Sequence, residues 1–104
     1  MHVLPYANLE DVRYAIRHRC LISFSYKRER ITAEPHLLGN FQKTHALILV
    51  AWKTEPEEGW DHYRYAQIRD FEVLRERFYH FRTGFTPHDR KIVGIDTMVS
   101  GYPR

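Results

Sequence analysis

Cysteine is nearly absent: Cys20 is the one cysteine in a chain of 104 residues. That excludes an internal disulfide and a four-thiolate zinc site. Glycine is sparse as well, and Gly39, Gly59, Gly84, Gly94 and Gly101 all stand isolated. No glycine-rich phosphate loop exists, which disfavours nucleoside triphosphate hydrolysis of the usual kind. Long apolar runs are missing too. The longest, Ala46 to Trp52, has seven residues, against the ~20 a membrane helix needs. Met1 to Ala7 contains no basic cluster leading into an apolar stretch, so no signal peptide is expected and a cytoplasmic location is. Repeats, low-complexity tracts and linkers are also lacking.

What is present is an ordinary globular composition, 43% hydrophobic and 28% charged, in a length suited to one domain with one core. The charge balance is 16 − 13 = +3, and arginine supplies 12 of the 16 cations. Arginine suits bidentate contact with phosphate and stacking on bases. The same residues also serve as a solvated surface, and +3 is well below the footprint of a dedicated nucleic-acid binder.

The chain opens with a helix. Asn8 is a good N-cap, Glu10 and Asp11 put negative charge in the first turn, and Leu9, Val12, Ala15 and Ile16 form one apolar stripe. This helix is expected over about 9–20. From Leu21 the period becomes two, with Ile22, Phe24 and Tyr26 alternating with Ser23 and Ser25. Lys27-Arg28-Glu29-Arg30 is a natural hairpin tip, and Ile31 to Leu38 the returning strand. Pro35 marks an edge or a bulge there, and Gly39-Asn40 is expected to break the pairing. Ala46 to Trp52 is apolar on both faces and therefore a central or helix-covered strand. Glu55 to Gly59 is an acidic turn; Trp60 to Ala66 alternates, with Tyr63 and Tyr65 on one face and His62 and Arg64 on the other. Gln67 to Asp70 reads as a short connector with room for one helical turn, and Phe71 to Glu76 as a fifth strand. One helix followed by about five strands predicts a small, strongly bent sheet or partial barrel capped by the helix. Residues 90–104 form a tail with a frayed end, and Ile92 to Ile95 in it is an added strand or one exchanged between copies.

The chemistry-bearing residues do not make a strong motif. The seven histidines include no helical i, i+4 pair and no alternate-strand pair, so no metal site is expected. Cys20 lies at the helix-to-strand junction beside Leu21 and Ile22, the setting of a small core residue. His62 beside Asp61 and His88 beside Asp89 point to opposite faces if extended, so neither is an acid–base pair. A metal-free ribonuclease can be assembled from Arg64, His62, His80, Tyr79 and Arg82. The strongest signal is Tyr63-Arg64-Tyr65, a basic residue between aromatics, which suits stacked bases and phosphates. Alternation alone favours the plainer reading: both tyrosines in the core with Arg64 solvated between them.

The order of residues also resembles a known family. The quoted stretches are Ala15-Ile16-Arg17-His18-Arg19, Phe24-Ser25-Tyr26, Glu34-Pro35-His36-Leu37-Leu38, Leu47 to Trp52, Tyr63-Arg64-Tyr65-Ala66-Gln67-Ile68 and Phe78, with Phe85-Thr86-Pro87-His88-Asp89 like the family's tail. Over roughly residues 9–89 the chain resembles the WYL domain family. Its name-giving Trp-Tyr-Leu stands here as Leu47-Ile48-Leu49, the usual basic residue is Gln67, the preceding acid is Ala66, and Arg30 is offset by one position. The resemblance implies a mostly β fold with one N-terminal helix: a small five-stranded Sm/SH3-like β-barrel, over about 21–78, with a C-terminal extension. Residues 1–8 would then be an N-terminal arm.

The resemblance further implies a non-enzymatic, ligand-sensing regulatory module that binds nucleotide or single-stranded nucleic acid and acts in transcription or another nucleic-acid process. By this carry-over Arg64 contacts phosphate, Tyr26 stacks, His36 lies nearby, and Arg30, His62 and Arg69 extend the basic rim. No cofactor, metal or catalytic residue is expected. With the helix starting near Leu9 there is no room for a preceding helix-turn-helix, so a separate DNA-binding or effector protein, a homodimer or the ligand itself must carry the signal. The alternatives are a protein–protein adaptor or homodimeric scaffold without nucleic acid, and the small metal-free ribonuclease.

Overall fold

The computed structural model describes residues 4–80, 82–87 and 89–101. Phe81, His88 and the tail Tyr102 to Arg104, including the expected frayed end, lie outside them.

Helix α1 spans Leu9–Arg17. Asn8 caps it as expected, accepting from the N–H groups of Glu10 at 2.8 Å and Asp11 at 3.4 Å, while Val12, Ala15 and Ile16 are buried. The helix stops almost a turn before the expected boundary because Arg19 adopts a left-handed conformation (φ 56°), which helical backbone cannot continue through. Cys20 therefore opens the first strand, β1 (Cys20–Tyr26), and is buried there.

The remaining strands are β2 (Glu29–Phe41), β3 (Leu47–Glu55), β4 (Gly59–Arg64), β5 (Arg69–Arg77) and β6 (Ile92–Met98), with a 3-10 turn at Tyr65–Gln67. Every pairing is antiparallel, and the spatial order is β4-β3-β2-β1-β5 with β6 on β2. Thus the fold is mostly β with one helix, as expected, but the sheet has six strands and is not closed. Among the described residues no hydrogen-bonded pairing joins β4 to β5.

Three local expectations change, each for a physical reason. First, β2 runs on through Gly39-Asn40. Gly39 is not a breaker but a point of close approach: a Cβ there would meet the Gly94 carbonyl of β6 at 2.5 Å, so only glycine lets β6 dock. Second, Pro35 sits at a register shift between β2 and β3, the expected bulge, yet it is buried in a central strand and marks no edge. Third, β4 ends at Arg64 because Ile68 N–H bonds back to the Tyr65 carbonyl at 3.1 Å and winds a turn. Tyr63 is buried as a core residue, while Tyr65 is only half-buried and leaves the alternation.

Two cores result. α1 covers the larger one, built from Val12, Ile16, Ile22, Phe24, Leu38, Leu49, Tyr63, Ile68 and Phe78. The other face of the sheet carries Leu37, Ile48 and Val50, covered by Trp60, Phe85 and Ile92. β3 feeds both, with Leu49 and Ala51 in the first and Ile48 and Val50 in the second. That is why it is apolar throughout. The second face is closed by the strap that leads from β5 to β6, through Trp60 Nε1–H to the Thr83 carbonyl (2.7 Å) and Phe85 stacked on Trp60 (5.5 Å). The segment from Ile92 thus pairs with β2 of its own chain.

Candidate ligand site at the hairpin tip

The turn between β1 and β2 is made of two residues, Lys27 and Arg28, both left-handed (φ 48° and 68°). This is the geometry of a tight hairpin turn that normally favours Asn-Gly. Here it projects two cations. The turn after β4 brings a third, Arg69, beside them. Lys27, Arg28, Arg30 and Arg69 line one open groove of about 350 Å³ together with Leu4, Ser25, Glu29 and Gln67.

Arg69 is held in place rather than loose. Its guanidinium donates to the Ala66 and Ile68 carbonyls (2.6 and 3.0 Å) and lies 3.8 Å from the centroid of the Tyr6 ring. Arg30 differs, since its charge is already matched. It donates to Ser23 Oγ at 2.9 Å and to Asp70 Oδ2 at 2.7 Å, with Glu72 at 3.9 Å. Arg30 is therefore a structural member of the groove wall and not the free cation that the basic rim called for. No carboxylate pairs with Lys27, Arg28, Arg64 or Arg69 among the described residues.

Tyr26 joins this face to β4. Its hydroxyl donates to Gln67 Oε1 (3.2 Å) and accepts from the Arg64 backbone N–H (3.0 Å). The ring stands edge-on to Tyr63 at 4.9 Å, and the Lys27 ammonium lies 5.5 Å from its centroid. Arg64 ends β4 with its side chain exposed. On the other side of the tip, Tyr26, Lys27, Glu29, Ile31, Asp61, His62 and Tyr63 line a second groove of about 310 Å³. The His62 side chain is exposed and turns to the face of the second core, its ring edge-on to Phe41 at 5.2 Å.

His36 does not belong to this face, contrary to what the resemblance implied. It is fully buried, its Nδ1–H donates to the Glu34 carbonyl at 2.8 Å, and its ring packs on Phe78, Trp60 and Phe85. The bulge at Pro35 turns this stretch of β2 inward, and burial drives the His36 pKa down to about 4. Beside it, the buried Glu34 carboxylate takes a bidentate pair from Arg82 (3.0 and 2.8 Å) and faces His80 Nε2 at 3.4 Å. Arg82 also lies 5.0 Å from the Trp52 ring. The five residues of the ribonuclease reading therefore divide: His80 and Arg82 gather at Glu34, Tyr79 is exposed, and His62 and Arg64 sit on β4.

Of the sequence-derived site residues, the fold brings Tyr26, Arg30, Arg64 and Arg69 to the hairpin face, with His62 across the tip, and sends His36 elsewhere. Lys27, Arg28, Tyr6, Gln67, Glu29 and Asp61 were missed as site residues. The legible signal for the first two was a pair of cations at a two-residue turn, where side chains point outward. No three His, Cys, Asp or Glu side chains are grouped to hold a metal, and no helix is long and apolar enough to cross a membrane, among the described residues. Compared with known proteins, the chain matches no family model, no curated protein and no solved structure.

Proposed function

We propose that this protein is a WYL-like regulatory module that binds a nucleotide or single-stranded nucleic acid through the hairpin face, without catalysing a reaction. The observation that carries the reading is the groove at the tip: three cations free of carboxylate partners among the described residues, Lys27, Arg28 and Arg69, converge there with Tyr26 and Tyr6 alongside. Clustered cations attract phosphate, and their rings offer stacking surfaces to bases. The two cations of the turn also occupy left-handed backbone, a conformation that costs non-glycine residues stability and that recurs at functional sites. Arg64, exposed one hydrogen bond from Tyr26, extends the same face.

The strand order β4-β3-β2-β1-β5 supports the fold half of the proposal. A meander whose fifth strand returns beside its first needs only a β4–β5 seam to become a small Sm/SH3-like barrel. On this reading the signal passes to a separate effector protein.

Fluorescence anisotropy of a labelled single-stranded oligonucleotide, DNA and RNA in parallel, tests the proposal. Binding is expected to weaken with salt and to drop about tenfold in Arg69→Ala, with the RNA recovered intact on a gel. A folded protein that binds neither strand at low salt overturns it, and cleaved RNA shifts the reading to the ribonuclease.

A further inference from the structure

The groove that gathers Lys27, Arg28 and Arg69 is polarised in its uncharged members as well. Tyr26 sets the direction. A backbone N–H can only donate, so the Tyr26 oxygen accepts from Arg64 N–H at 3.0 Å, and its one hydrogen goes to Gln67 Oε1 at 3.2 Å. The oxygen of the Gln67 amide is thereby engaged, and its NH2 group is the end left without a partner among the described residues. Ser25 follows the same rule. Its Oγ accepts from Arg30 Nη1 at 3.4 Å, which leaves the hydroxyl hydrogen to be donated.

The backbone acceptors around the groove are already engaged. Arg69 Nη1 takes the Ala66 and Ile68 carbonyls. Arg30 Nη1 takes the Asp70 carbonyl at 3.1 Å, and the Asp70 N–H takes that of Pro5 at 2.9 Å. What the lining still offers is nearly all donor: the cations of the turn, the remaining Arg69 nitrogens, the Gln67 amide and the Ser25 hydroxyl. One acceptor stands among them, the exposed Glu29 carboxylate. Arg30 is matched by Asp70, so three unmatched cations against one carboxylate leave a surplus of two positive charges. A phosphodiester within a strand brings one negative charge and two unesterified oxygens. A phosphomonoester brings close to two charges at pH 7 and three acceptor oxygens. The monoester matches both the surplus and the donors.

We propose that this groove is a site for a terminal phosphate, a phosphomonoester, with Gln67 and Ser25 as binding residues beside Lys27, Arg28 and Arg69. The inference rests on the phosphate-binding reading above and narrows it to the end of a strand or a nucleoside monophosphate. Tyr26 gains a positioning role, because its hydroxyl decides which end of the Gln67 amide the ligand meets.

Anisotropy with two single strands of one sequence, one bearing a terminal phosphate and the other a terminal hydroxyl, tests this. Isothermal titration with adenosine monophosphate and with adenosine runs beside it. The phosphorylated strand is expected to bind about tenfold more tightly than its counterpart, and adenosine not to bind. Adenosine monophosphate binding as tightly as the strand identifies a free nucleotide as the source, and preference in the strand alone a nucleic-acid end. Gln67→Leu removes the amide without adding charge and should erase the preference, while Gln67→Lys, which restores a donor, should keep it. Gln67 is exposed, so neither change endangers the fold. Equal affinity for the two strands overturns the terminal-phosphate inference while the phosphate reading stands. An unchanged preference in Gln67→Leu overturns the role of the amide. If neither strand nor the nucleotide binds, both readings fall.

Discussion

His36 shows how far a buried environment can take a titratable group from its ordinary behaviour. Its folded-state pKa lies at about 4 against an ordinary 6.5, with burial the first cause. Between these two values the unfolded chain holds a proton that the folded one does not. Stability therefore rises with pH across that window, and it is lost as pH falls from 6.5 towards 4. A gap of this size amounts to about 3 kcal/mol, and it is expected as a falling urea midpoint over the same range. His36→Phe, which keeps an aromatic ring among Trp60, Phe78 and Phe85, should flatten the profile. Asp96, held down to about 2 by Arg13, begins to lose its own contribution below about pH 5, so the fall between 6.5 and about 5 is the part that reports on His36. Little of this was legible beforehand. Glu34-Pro35-His36 has the residue types of a site, and only the bulge at Pro35, formed against a strand more than ten residues away, decides that His36 faces the core.

At the scale of elements, the β1–β2 hairpin carries the clearest conflict between stability and use. Its two central residues sit in backbone that Asn and Gly adopt at lower cost than Lys and Arg. Replacing Lys27-Arg28 by Asn-Gly should raise unfolding stability by about 1 kcal/mol, read by chemical denaturation. The same change should weaken oligonucleotide binding, read by anisotropy, as expected where function is retained at the expense of stability. If binding is unchanged, the turn does not hold the phosphate. The elements themselves were largely readable, because a period of 3.6 gives way to a period of two after Cys20 and the caps and turn residues are local. β6 was placed only as an added or exchanged strand. The misreading of Gly39-Asn40 has the same origin, since that glycine is required by Gly94, a residue far along the chain.

At the scale of the whole molecule, a buried ion pair ties the strap to the sheet. Glu34 on β2 is buried at 3% exposure, and the arginine that neutralises it comes from the strap covering the second core. Removing one partner of such a pair leaves a charge without compensation, whereas replacing both by apolar residues is nearly neutral. Arg82→Ala is expected to cost about 3 kcal/mol, and Glu34→Leu combined with Arg82→Leu to recover most of the loss, both by urea denaturation. Composition and length pointed to a single globular domain with one core. They could not point to two, because the second exists only where the strap folds back over Leu37, Ile48 and Val50.

The position of β6 has one more consequence, in the time a ribosome takes to make the chain. β1, β2 and β3 are joined through short turns and can pair as soon as they emerge. The strap and β6 come last, so the apolar face formed by Leu37, Ile48 and Val50 waits open until Phe85 and Ile92 arrive. During synthesis the edge of β2 from Leu37 to Phe41 is likewise unpaired, a template for any passing strand. The nascent protein is thus most vulnerable to mispairing in the interval between the end of β5 and the end of β6.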